Sequence, residues 1–112
     1  MPTLREAETD KSSTEQQVLK LIAIGEVDDA ARLAEKNNML DRAIVLYKKA
    51  SDFRSVGRLY EQQEKLKEAM LAFERGKIFD EAARIADKLG EKRKAERFYT
   101  LYQKQEYPSY KR

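Results

Sequence analysis

Alanine, or valine in its place, returns every thirteenth residue along the chain, at Ala30, Ala43, Val56, Ala69, Ala82 and Ala95. Written in rows of that length from Val27, the sequence reads VDDAARLAEKNNM, LDRAIVLYKKASD, FRSVGRLYEQQEK, LKEAMLAFERGKI, FDEAARIADKLGE and KRKAERFYTLYQK. Apolar residues keep to the first, fourth, seventh and eighth columns. Spacings of three and four fall on one face of a helix of about 3.6 residues per turn, and the rest of each row suffices only for a tight turn. Each row therefore predicts one short helix and one turn, and the small fourth-column residue lets the next helix approach closely at the same point. Gly76, Gly90, Asn37 with Asn38, and Ser51 with Asp52 fall at row ends, where a left-handed residue commonly ends a helix. Asp28, Asp29, Asp80 and Glu81 fall at row starts, where a carboxylate offsets the helix dipole.

A second period lies over the first. Rows starting at 27, 53 and 79 have small residues in column five (Ala31, Gly57, Ala83), whereas rows starting at 40 and 66 have Ile44 and Met70 there. The latter also have an apolar sixth column, Val45 and Leu71, and an aromatic eighth, Tyr47 and Phe73. Such a wide stripe predicts burial on more than one side. The unit is then a hairpin of a lighter and a heavier helix, at 27–52, 53–78 and 79–104. Helices this short are not stable alone, and stacked hairpins bury a continuous core between neighbours. The expected fold class is all-α, an α-solenoid of short antiparallel helices with one N-terminal helix and three helical hairpins.

The stretch VGRLYEQQEKLKEAMLAFERG, residues 56–76, resembles the centre of a tetratricopeptide repeat. Gly57-x-x-Tyr60 falls in the first helix and Ala69-x-x-x-Phe73-x-x-Gly76 in the second; Ala43-x-x-x-Tyr47-x-x-Ala50 repeats the second pattern. The unit here is shorter than the family's, without its opening aromatic residue or closing proline. Shortened units of this kind are similar to helical hairpins of coatomer and intraflagellar-transport subunits, so the chain is expected to be such a repeat protein or a piece of one.

The ends differ from the middle. SSTEQQVLKLIAIGE opens with a capping box, Ser13 to Gln16, and continues in frame with Val18, Leu21 and Ile24. It reads as a heavier helix without a preceding partner, which leaves the face bearing Leu19 and Ile22 exposed as a docking surface. Residues 1–13 are read as a mobile tail and 14–104 as the repeat domain. The final row opens with Lys92 and carries Glu96 and Arg97 where its relatives are apolar, as a capping helix requires. Residues 105–112 are read as a frayed tail, because Pro108 disfavours helix at Tyr107.

Composition narrows the chemistry. The chain has 112 residues, 41% hydrophobic and 38% charged with 2 prolines, which favours one small helical domain over disorder. It contains no Cys and no His, which removes disulfides, the usual zinc sites, thiol nucleophiles and imidazole bases. The acid pairs Asp28–Asp29 and Asp80–Glu81 already have a structural role at helix starts, and the four glycines are isolated, so no phosphate-cradling loop is read. No catalytic residue, metal site or cofactor is assigned, and the chain is not expected to be an enzyme. The longest apolar run of the first helix is LIAI, 21–24. No membrane span or secretion signal is expected, and the location expected is intracellular, in the cytoplasm.

The sixth column of all three lighter helices is arginine: Arg32, Arg58 and Arg84. The tetratricopeptide resemblance implies that this position faces the concave groove. Three guanidinium groups there would suit an acidic segment of another protein, since each can donate two parallel hydrogen bonds to one carboxylate. The plainer alternative is a solvated intrahelical pair, from Asp28 to Arg32 and Asp80 to Arg84, or to Glu35, Glu61 and Asp87 three residues on. The favoured function is a non-catalytic protein-interaction module, adaptor or scaffold. The second is a structural subunit that docks a partner, or a second copy, through Leu19 and Ile22. The third and least favoured is RNA or DNA binding through Lys92, Arg93, Lys94 and Arg97, with Lys104, Lys111, Arg112, Tyr107 and Tyr110 nearby. The net charge is only +3, not that of a strong polyanion binder. Tyr47, Tyr60, Phe73 and Tyr99 are read as core, with hydroxyls reaching its edge.

Overall fold

A computed structural model of the chain describes the backbone of residues 4–106 and the side chains of residues 13–106. Among these residues it forms seven α-helices and no strand: α1 (Leu4–Ala23), α2 (Val27–Lys36), α3 (Leu40–Lys49), α4 (Phe53–Gln62), α5 (Leu66–Arg75), α6 (Phe79–Lys88) and α7 (Lys92–Glu106). The six rows of the sequence are α2 to α7, each starting on its row's first residue. The chain divides into two compact units between Ser51 and Asp52. In the first unit α2 packs on α1 and on α3; in the second α4 packs on α5, α5 on α6 and α6 on α7. The protein is thus all-α, with chain neighbours packed on one another, an arrangement compatible with a helical repeat.

The turns repeat as strictly as the helices. Gly25, Asn38, Ser51, Glu64, Lys77 and Gly90 all have positive φ, between 58° and 86°, and they are thirteen residues apart. The residue after the left-handed one sends its N–H five residues back, as in Met39 to the Ala34 carbonyl, Lys65 to Tyr60, Ile78 to Phe73 and Glu91 to Ala86, at 2.8–2.9 Å. This is the Schellman closure, which satisfies carbonyls at the helix end. Gly76, expected as a left-handed terminator, has φ −83°; Lys77 takes that role instead. Gly76 is small because α4 passes close by: a Cβ there would lie 2.7 Å from Phe53 Cβ.

The fourth-column residues Ala30, Ala43, Val56, Ala69, Ala82 and Ala95 are all buried. In the second unit Ala69, Met70, Phe73, Ala82, Ala83, Ile85, Ala86, Ala95 and Phe98 form one core, flanked by Tyr60, Leu66 and Phe79. The Phe79 and Phe98 rings stack with centroids 6.2 Å apart.

Three expectations are corrected. Val45 and Leu71 are 52% and 57% exposed, so the heavier helices are not buried on the column-six side. Columns four, five, seven and eight span one arc of the helix, and column six, at about 100° per residue, points opposite to it. Tyr99 is exposed rather than core, because no described helix follows α7 to cover it. Finally, α1 begins at Leu4, ahead of the Ser13 cap, since LREAETDKSS holds no glycine or proline to interrupt a helix. Of the two expected tails, residues 1–3 and 107–112, including Tyr107, Tyr110, Lys111 and Arg112, lie outside the described residues.

Candidate functional site

The second unit carries a depression of about 250 Å³ lined by Arg54, Arg58, Glu61, Phe73, Glu81 and Arg84. Arg54, Arg58 and Glu61 are four and three residues apart on α4 and so share one face; Glu81 and Arg84 do the same on α6. The start of α4 is set by Asp52, whose carboxylate accepts the Ser55 N–H at 3.2 Å as an N-cap. Its depth depends on Gly57, where a Cβ would come within 2.6 Å of Phe73 Cε1 and Cζ. With no side chain there, α4 lies directly on the Phe73 ring.

One ion-pair cluster organises the polar groups. Arg84 Nη1 donates to Glu61 Oε2 at 2.8 Å and Nη2 to Glu61 Oε1 at 2.7 Å, a two-point grip that joins α6 to α4. The same guanidinium donates from Nε and Nη2 to Glu81 Oε2 at 3.0 and 2.6 Å. Lys88 Nζ reaches Glu61 Oε2 at 2.8 Å. The hydrogen bonds from Arg84 and then Lys88 hold the Glu61 carboxyl down to about 2, and those to Glu61 and Glu81 push the Arg84 pKa up. Three guanidinium groups face two carboxylates around the depression, and Lys88 adds a further positive charge, so the local balance favours an anion.

Comparison between hairpins explains why Glu61 makes these contacts. Glu35 accepts the Tyr47 hydroxyl at 2.8 Å and Asp87 accepts the Tyr99 hydroxyl at 3.2 Å, twelve residues on in each case. The Asp87 contact raises the Tyr99 pKa. In the middle hairpin the aromatic twelve residues after Glu61 is Phe73, which has no hydroxyl to donate. Glu61 turns to the next hairpin's Arg84 and Lys88.

Of the arginines singled out from sequence, Arg58 and Arg84 meet at this depression. Arg32 belongs to the first unit, where it is exposed and donates to Asp29 Oδ1 at 2.5 Å. The intrahelical partners of Arg32 and Arg84 are Asp29 and Glu81, three residues back, instead of the expected Asp28 and Asp80 four residues back. Arg54 and Lys88 were not singled out from sequence, and Glu81 was read only as a helix-start acid, although Arg54 lies one turn before Arg58 and Phe73 breaks the tyrosine column.

The other candidates lie elsewhere. In the first unit Leu19 is 50% exposed and Ile24 71% exposed, with Ile22 half-buried. On α7, Lys92 and Arg93 are exposed, Lys94 pairs with Glu91 at 3.2 Å, and Arg97 pairs with Glu74 at 3.1 Å while lying over the Phe98 ring. Among the described residues no helix is long and apolar enough to cross a membrane. No protein-family model, curated protein or solved structure matches the chain.

Proposed function

We propose that the chain is a non-catalytic protein-interaction module, an adaptor built from shortened tetratricopeptide-like hairpins, that holds an acidic segment of a partner protein against Arg54, Arg58 and Arg84. The observation that carries this reading is the gathering of three guanidinium groups around one depression with a net positive balance. Guanidinium remains charged at every physiological pH and matches carboxylate geometry. Arg32 holds the same column in α2 of the first unit.

The test compares capture of partners from a native lysate by the unaltered chain and by an Arg32→Glu, Arg58→Glu, Arg84→Glu variant, with helicity followed by circular dichroism. Loss of an acidic partner with helicity retained is the expected result. A partner held equally by both proteins counts against the groove.

A second reading rests on the exposure of Leu19 and Ile24: α1 docks a second copy in a larger assembly. Exposed large apolar side chains gathered on one helix mark such surfaces more often than scattered ones do.

A further inference from the structure

One of the three guanidinium groups at the depression, Arg84, already holds a carboxylate. Glu61 meets Arg84 through both oxygens, at 2.7 and 2.8 Å, the planar two-point geometry that a carboxylate from another chain would use. Three features set this contact apart from an ion pair that merely joins two helices. Both side chains remain partly exposed, 24% for Glu61 and 40% for Arg84, so they can separate without unfolding anything. Lys88 already touches Glu61 Oε2 at 2.8 Å, so a Glu61 that leaves Arg84 keeps a cation beside it. Glu81 meanwhile grips Arg84 through Nε and Nη2, which leaves the Nη1 side as the part open to exchange.

We infer that Glu61 is an internal occupant of the acidic-segment site, displaced from Arg84 onto Lys88 when a Glu or Asp side chain of a partner polypeptide binds. The inference rests on the groove reading proposed above and adds to it a ligand class and a regulation. The ligand is a carboxylate, because the site's own occupant is a planar two-oxygen group matched to the fork of Arg84. A segment with a second acid is favoured, since Arg54 and Arg58 line the same depression. The site is self-inhibited, because affinity is reduced by the fraction of molecules in which Glu61 occupies Arg84. Phe73 makes this arrangement available: a tyrosine there would offer Glu61 a hydroxyl, as Tyr47 offers one to Glu35.

The test measures binding of a fluorescein-labelled hexaglutamate peptide by anisotropy at low salt. Glu61→Gln is expected to bind about tenfold tighter than the unaltered chain, the size of an ordinary coupling between sites. Glu96→Gln makes the same charge change on the exposed side of α7 and is expected to stay within about twofold, the gain from net charge alone. Lys88→Gln is expected to weaken binding by well over about twofold in the unaltered background and by no more than that, the effect of net charge alone, in the Glu61→Gln background, since its role is to receive the displaced Glu61. Glu61→Gln binding no tighter than Glu96→Gln, or a Lys88→Gln effect equal in both backgrounds, overturns the exchange and leaves the groove intact. Peptide bound by neither the unaltered chain nor Glu61→Gln overturns the groove together with the exchange.

Discussion

Four turn residues, Asn38, Ser51, Glu64 and Lys77, adopt a left-handed backbone conformation that glycine reaches without steric crowding. Glu64 and Lys77 have φ of 61° and 58°, where the Cβ of an L-residue crowds the following carbonyl, while Gly25 and Gly90 occupy the same place in their turns. Glycine relieves that crowding but loses more chain entropy on folding. Lys77→Gly should therefore stabilise the protein by about 0.5–1 kcal/mol, and Gly90→Ala should destabilise it by about 1 kcal/mol. Urea unfolding midpoints at unchanged slope would check both. Glu61 yields a second prediction at this scale. Its folded pKa, about 2, lies below the usual carboxylate value of 4.5, so its ionised form stabilises the folded state. That contribution is complete above about pH 4.5 and is lost as pH falls toward about 2. The stability difference between the unaltered chain and Glu61→Gln should be full at pH 7 and shrink across that window; a difference constant down to pH 2 would refute the assignment. The position of Glu61 was legible in the sequence, but its partner was not, because Arg84 is a neighbour through packing and not through helical spacing.

At the scale of the helix, the contact of α4 with α5 is set by what Gly57 lacks. A Cβ at that position would stand 2.6 Å from Phe73 Cε1 and Cζ, and Phe73 is buried, so the ring has little room to retreat. Gly57→Ala should cost about 1–3 kcal/mol, the usual range for an overpacked contact, measured as a fall in the denaturation midpoint. Ala31 and Ala83 hold this column in α2 and α6, so the glycine belongs to the middle hairpin alone, whose Arg54, Arg58, Glu61 and Phe73 line the depression together with Glu81 and Arg84 of α6. Column counting located the glycine and the phenylalanine without showing that they touch. The apolar sixth column shows the opposite failure. Val45 and Leu71 widen the stripe on paper, yet a stripe becomes core only where a neighbouring helix covers it, and their side of α3 and α5 stays half-open.

For the molecule as a whole, exposed apolar surface is the feature open to test. Leu19 and Ile24 expose half or more of their area on α1. If α1 docks a second copy, light scattering should give a mass of two chains at high concentration, and Leu19→Glu should return it to one. A single-chain mass for both proteins would remove that reading. The thirteen-residue period determined, from sequence alone, helices α2 to α7 and a turn between successive rows, because helix and turn are local structures, whereas the left-handed position itself fell at Lys77 and not at the expected Gly76. The period also determined which small residues are buried, since close approach recurs at one column. Tertiary structure alone decided which arginine meets which acid and where cations gather. Those contacts, such as Arg84 on Glu61, join residues of different hairpins whose distance depends on packing, while the helical period describes only neighbours along one helix.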